Sequence, residues 1–143
     1  MFLGEFDRSL DPKGRVVLPA EHRDVLGESG YLTKALDKCL VIFQPDKFKE
    51  VLAQMEHYAR QGPQQRRVAT QFTAGAHLVV PDKQGRIAVP ANLRTYAGLR
   101  GDVKVVGGNV RIELWDPQRW HDAHPDDDPG FDQSDPALAA LGV

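Results

Sequence analysis

A single cysteine, Cys39, occurs in 143 residues. An internal disulfide is excluded, and so is a zinc site built from several thiolates. Long apolar runs are missing as well: none is longer than Cys39 to Phe43, far short of the ~20 residues that cross a bilayer. The opening Met1-Phe2-Leu3-Gly4-Glu5-Phe6-Asp7 meets acids where a secretory leader needs positive charge followed by an apolar stretch. No G-x-S-x-G, Walker A or H-E-x-x-H pattern is present. These absences predict a cytoplasmic protein that is not an enzyme. They predict no membrane association, no cofactor and no small-molecule substrate.

Positive charge is missing from the end of the chain. From His121 to Val143 there are six aspartates (Asp122, Asp126, Asp127, Asp128, Asp132 and Asp135) and no Lys or Arg. The formal net charge of −2 therefore hides a body, residues 1–120, with 18 basic and 14 acidic groups. Its basic excess sits late, with nine Lys or Arg in residues 66–120 against Asp82, Asp102, Glu113 and Asp116. Such a body tolerates an anionic partner. The acidic end, residues 121–143, has too little apolar material to offset the entropy of ordering it, and is expected to be disordered.

The body is a duplication. Asp11-Pro-Lys-Gly-Arg-Val-Val-Leu-Pro19 aligns with Asp82-Lys-Gln-Gly-Arg-Ile-Ala-Val-Pro90 at a spacing of 71. The register continues through Ala20/Ala91, Arg23/Arg94 and Gly27/Gly98. After one inserted residue it continues through Leu40/Ile112, Phe43/Trp115 and Phe48/Trp120.

Each copy opens with turn chemistry. Asp11-Pro12-Lys13-Gly14 has Asp, Pro and Gly at the positions a type I turn favours, and Asp82-Lys-Gln-Gly85 repeats it without the proline. Strands are predicted at Arg15–Leu18 and Arg86–Val89, ended by Pro19 and Pro90. Those prolines open helices over Ala20–Leu26 and Ala91–Ala97, each stopped by glycine. Further strands are predicted at Tyr31–Ala35, Cys39–Phe43, Asp102–Val106 and Val110–Trp115, with Gly107-Gly108-Asn109 as a hairpin signal. Helical spacing from Phe48 through Val51, Leu52, Met55, Tyr58 and Ala59 predicts a connecting helix. A second is predicted from Gln64 to Thr73, with Val68, Ala69 and Phe72 on one face, and a short one after Asp116-Pro117 with Trp120 inward. A unit of roughly 60 residues is marginal alone, so two copies are expected to share one core. The fold class is α+β, a duplicated small β-barrel with its connecting helices outside. The divisions are 1–48, 49–74, 75–120 and 121–143.

Two readings of the repeated D-x-x-G-R turns stand side by side. In one, Asp11 and Asp82 accept backbone hydrogen bonds, and Arg15 and Arg86 form surface ion pairs worth ~0–1 kcal/mol. In the other, rigid turns project Arg15 and Arg86, with Lys13 and Lys83, toward phosphates and guanine edges. The planar arginine fork suits both targets. The aspartates and Gly14 and Gly85 then organise the turns.

These blocks, with the opening Met1-Phe2-Leu3-Gly4-Glu5-Phe6, resemble the MraZ family of transcriptional regulators over residues 1 to about 120. The resemblance implies two AbrB-like half-domains that exchange hairpins to form one pseudo-twofold barrel. It implies a homo-oligomeric ring, a nucleoid-associated location, and double-stranded DNA bound at repeated short promoter boxes of the division and cell-wall gene cluster. The family's D-x-x-x-R motif falls on Asp11/Arg15 and Asp82/Arg86.

Other readings are weaker. Gln65, Arg66 and Arg67 after the Gly62-Pro63 break imitate a recognition helix, but that charge occurs once whereas the turn charge repeats. An antitoxin-like or protein-interaction module is the main alternative function. His121-x-x-His124 with Asp126, Asp127 and Asp128 has ligand atoms but no preformed shell, so no metal is expected. His22, His57 and His77 read as surface or packing residues, and Cys39, Trp115 and Trp120 as core.

Overall fold

The computed structural model describes residues 1–131 and 135–143. Each half runs strand, strand, helix, strand, strand. The first has β1 (Glu5–Ser9), β2 (Arg15–Val17), α1 (Ala20–Leu26), β3 (Gly30–Lys34) and β4 (Leu40–Phe43). A helical hairpin, α2 (Pro45–Ala59) and α3 (Pro63–Ala74), leads to the second. That half has β5 (His77–Val79), β6 (Arg86–Ala88), α4 (Ala91–Ala97), β7 (Asp102–Gly107) and β8 (Ile112–Trp115). Then follow α5 (Pro117–Ala123) and α6 (Pro136–Ala139). The fold is α+β, with antiparallel strand pairing throughout the described residues.

The halves interleave. A six-stranded sheet has the order β1-β7-β8-β4-β3-β5, and β2 pairs with β6 in a separate ribbon. Exchanging the corresponding strands of the two halves leaves that order unchanged. Thus β1 pairs with β7 of the other half, β5 with β3, and β4 with β8. One core results, combining Val16, Leu18, Leu32 and Ile42 with Ile87, Leu93, Val105 and Leu114. Each such side chain stabilises by ~1.5–3 kcal/mol when withdrawn from water, and here the withdrawal needs both halves.

The helical hairpin covers β3 and β4. Phe48 packs with Val41 and Phe43 and stacks on Tyr31 at a ring separation of 4.6 Å. Thr33, fully buried, donates to the Phe72 carbonyl at 3.0 Å, which ties α3 to the sheet. Pro45 and Asp46 stand in the first turn of α2, where their chemistry suits them, and α3 begins at Pro63, one residue before the expected Gln64. Val68, expected on the buried face with Ala69 and Phe72, is exposed. Ala69 is buried and Phe72 packs against the Phe48 cluster, as expected.

Two strands escaped the sequence pattern. β1 is a sheet edge whose alternation rests on Phe6 alone among charged neighbours, and β5 has three residues. β8 begins at Ile112 rather than Val110, because the hairpin extends through Asn109 in the left-handed region (φ 64°), and Gly108 donates to the Arg111 carbonyl at 2.8 Å. Beyond residue 120, α5 continues to Ala123, where His124 stacks on Trp120 at 3.8 Å. Asp135 caps α6 through the amides of Ala137 and Leu138. α5 ends before Pro125, the expected limit of that helix, and α6 falls within Pro136–Val143, where a helical turn is the alternative to a frayed end. The expectation of disorder for residues 132–134 lies outside the described residues.

Candidate nucleic-acid interface

The two turns have matching hydrogen bonds. Asp11 Oδ1 accepts the backbone N–H groups of Lys13 and Arg15, both at 2.9 Å, and its Oδ2 accepts Arg15 Nε–H at 2.7 Å. Asp82 Oδ1 accepts the N–H groups of Gln84 and Arg86 at 2.9 Å, and Oδ2 accepts Arg86 Nε–H at 2.7 Å. The N–H of Gly14 closes on the Asp11 carbonyl and that of Gly85 on the Asp82 carbonyl, each at 2.9 Å. Both carboxyls are held below their ordinary pKa. The largest cause is the backbone N–H of the arginine four residues on, opposed by partial desolvation and assisted by the arginine side chain.

The aspartates engage only the Nε side of each guanidinium. Among the described residues, neither Arg15 nor Arg86 uses its terminal nitrogens in a hydrogen bond. The side chains are 28% and 30% exposed, and the outer edge of each fork has no hydrogen-bond partner among the described residues. Lys13 and Lys83 are exposed on the same turns.

The ribbon sets where the forks point. Arg15 lies opposite Ala88, Val16 opposite Ile87 and Val17 opposite Arg86. Strand alternation puts Val16 and Ile87, each 1% exposed, into the core. Arg15, Val17, Arg86 and Ala88 therefore share the outward face. The two arginines are diagonal neighbours on it, in a geometry where long side chains reach each other.

Gly14 and Gly85 adopt φ of 76° and 77°, a region costly for residues with a Cβ. A second constraint crosses between halves. A Cβ at Gly14 would overlap the guanidinium of Arg94, on α4 of the other half, and one at Gly85 would overlap Arg23 of α1. Arg94 donates to the Val89 carbonyl at 2.5 Å and Arg23 to the Gln84 carbonyl at 3.4 Å. The carbonyls of Gly14 and Gly85 accept from Val89 and Leu18 at 3.0 and 2.9 Å. Each turn is thus seated on the partner half, with an extra guanidinium beneath it. Arg23 and Arg94 stand at equivalent places in the repeat, but an inter-half contact leaves no trace in local spacing.

The remaining candidates lie elsewhere. Arg66 and Arg67 are exposed on the helical hairpin, not on the ribbon. His121 is exposed on α5, and no group of three or more His, Cys, Asp or Glu able to hold a metal occurs among the described residues. Cys39 is buried and its thiol is pushed up to about 12, chiefly by desolvation. Trp115 is buried, with Trp120 edge-on at 5.5 Å. His22 is buried between Phe2 and Phe6 and bonds the Leu3 carbonyl through Nε2 at 2.8 Å. It fastens the N-terminus to α1. No described helix is long and apolar enough to cross a membrane.

Interleaved repeats, each presenting a braced arginine turn at one strand register, define a duplicated α+β protein with paired basic turns. The family model described as "MraZ protein, putative antitoxin-like" matches residues 1–70 and again 72–136. A protein of Acetivibrio thermocellus named transcriptional regulator MraZ is 38% identical over 143 residues, all of both chains. Proteins of the same name from Micrococcus luteus and Kineococcus radiotolerans are each 40% identical, over 94% and 92% of both chains. The chain belongs to the MraZ family. The match extends to residue 136, past the end near Trp120 that the motifs suggested.

Proposed function

We propose that this chain is a sequence-specific, DNA-binding transcriptional regulator that reads double-stranded promoter DNA through Arg15 and Arg86. The carrying observation is the shared outward ribbon face, on which both forks keep their outer edges free while an aspartate clamps the inner edge. The names of the relatives support the regulatory role.

Pre-organisation is the mechanism. The Nε–carboxylate bonds restrict two long side chains before contact, so less rotamer entropy is lost on binding. An arginine aimed at guanine O6 and N7 supplies ~1–3 kcal/mol of discrimination. Lys13, Lys83, Arg23 and Arg94 contribute phosphate attraction, which is salt-sensitive and indifferent to sequence.

Several finer elements belong to the same reading. The sheet and ribbon together form a pseudo-twofold barrel of two AbrB-like halves, 1–48 and 75–120, joined by 49–74. A single ribbon makes a small footprint, so a homo-oligomeric ring on repeated short boxes of the division and cell-wall cluster gains by avidity. The protein acts in the cytoplasm at the nucleoid, without enzymatic turnover. Titration of the DNA upstream of its own gene tests the proposal. Wild-type binding at spaced boxes, weakened by Arg15→Ala and by Arg86→Ala, supports it, and unchanged binding by both refutes it.

The family description carries a second reading, an antitoxin-like interaction module. In that case deleting residues 121–143 abolishes capture of a protein partner and leaves DNA binding intact.

A further inference from the structure

Beside the ribbon, the C-terminal end of α4 and the start of α5 enclose a cleft of about 290 Å³. Its charged lining residues are Arg94, Arg100 and Arg119, and no carboxylate lines it. Arg119 lies against Gly98, which ends α4 in the left-handed region (φ 67°), and donates through Nη1 to the Tyr96 carbonyl at 3.2 Å. The nearby Asp116 spends its carboxylate on the backbone N–H of Arg119, capping α5 at 3.0 Å. Arg100 is exposed, and among the described residues its side chain makes no hydrogen bond. Three arginine side chains and no carboxylate line this small cleft, and their like charges favour an anion there.

The duplication supplies a control. At the 71-residue spacing, Arg94, Thr95, Leu99 and Arg100 correspond to Arg23, Asp24, Glu28 and Ser29. At 72, Arg119 corresponds to Lys47, which is paired with Glu50 at 3.3 Å. The first half therefore has two acids and a serine where the second has Thr95, Leu99 and Arg100. Framework needs shared by both halves do not account for a charge change on one side only.

We propose that this cleft is a phosphate-binding site, recruited in the second half alone. Its ligand is a phosphate group, either a backbone phosphodiester flanking the bases met by the ribbon or a free phosphate-bearing molecule. Arg94 joins the cleft to the turn, since the same side chain packs against Gly14. The duplex source rests on the DNA-binding reading, whereas the site itself rests on its lining.

The test uses the full chain as wild type, Arg100→Ala, Arg100→Lys and the double variant R100A/R119A. Each is titrated with operator and with scrambled duplex across a salt series, and separately with inorganic pyrophosphate by calorimetry. For a phosphodiester in the cleft, the double variant loses about 1–2 from the salt slope, at ~0.9 per phosphate contact. The loss is equal on both duplexes, so the specificity ratio is unchanged, and Arg100→Lys restores its share. For a free ligand, pyrophosphate binds wild type and Arg100→Lys but not Arg100→Ala or the double variant, with duplex affinity unchanged. If wild type binds no duplex, the regulatory reading fails and the pyrophosphate arm alone decides the site. If the double variant melts early, Arg100→Ala alone decides by the same criteria. Wild-type slope and wild-type pyrophosphate behaviour in a folded variant overturn the proposal.

Discussion

Arg94, on the helix of the second half, packs its guanidinium against Gly14, in the turn of the first. Arg23 and Gly85 repeat the relation in the other direction. The turns are therefore properties of the assembled pair, not of either repeat. Gly14→Ala and Gly85→Ala must each accept an unfavourable φ and displace an arginine. Each is expected to lower stability by about 1 kcal/mol or more, read as a lower urea midpoint with an unchanged slope.

The shared core makes a second expectation. Leu18, fully buried, packs in the cluster that joins both halves. Leu18→Ala is expected to cost ~2–5 kcal/mol and to lower a single cooperative transition. Two separate transitions, one for each half, would contradict the interleaved core.

Much of this arrangement was legible in the residues. The 71-residue spacing located both turns, and the Pro–helix–Gly pattern placed α1 and α4 over Ala20–Leu26 and Ala91–Ala97, as observed. Edge strands were not legible, because β1 has few apolar residues with which to show an alternation. Strand exchange between halves was not readable from local pattern either, since Glu5 and its partner Val106 are set together by tertiary pairing. The same holds for Arg23 and Arg94, whose significance lies in what they touch across the repeat.

Removing the brace separates the aspartate's two roles. In Asp11→Asn and Asp82→Asn, the amide oxygen can still accept the turn N–H groups, but no carboxylate remains for the arginine Nε. The folded state is expected to persist, with operator discrimination reduced and non-specific duplex affinity nearly unchanged. Competition between operator and scrambled duplex measures the ratio. Equal losses on both would assign the brace to general charge.

Two pH limits follow from the shifted groups. Asp11 and Asp82 have folded pKa values below 3.8, so their contribution to stability is complete above 3.8 and is lost as pH falls through the lowered values. D11N/D82N is expected to show a shallower acid limb in urea midpoint against pH. Cys39 is raised from 9.0 to about 12. Its contribution is present below 9 and lost as pH climbs toward 12. A thiol reagent at pH 8 should leave native Cys39 unmodified and label it fully in denaturant.

The most direct measurement is competition binding of wild type, Arg15→Ala, Arg86→Ala and the double variant, each verified as folded, against operator and scrambled duplex. Each single change is expected to remove ~1–3 kcal/mol of discrimination, and the double variant to retain only salt-sensitive, sequence-blind binding. Full discrimination by the folded double variant would contradict the account, because the ribbon face would then not be what meets the DNA.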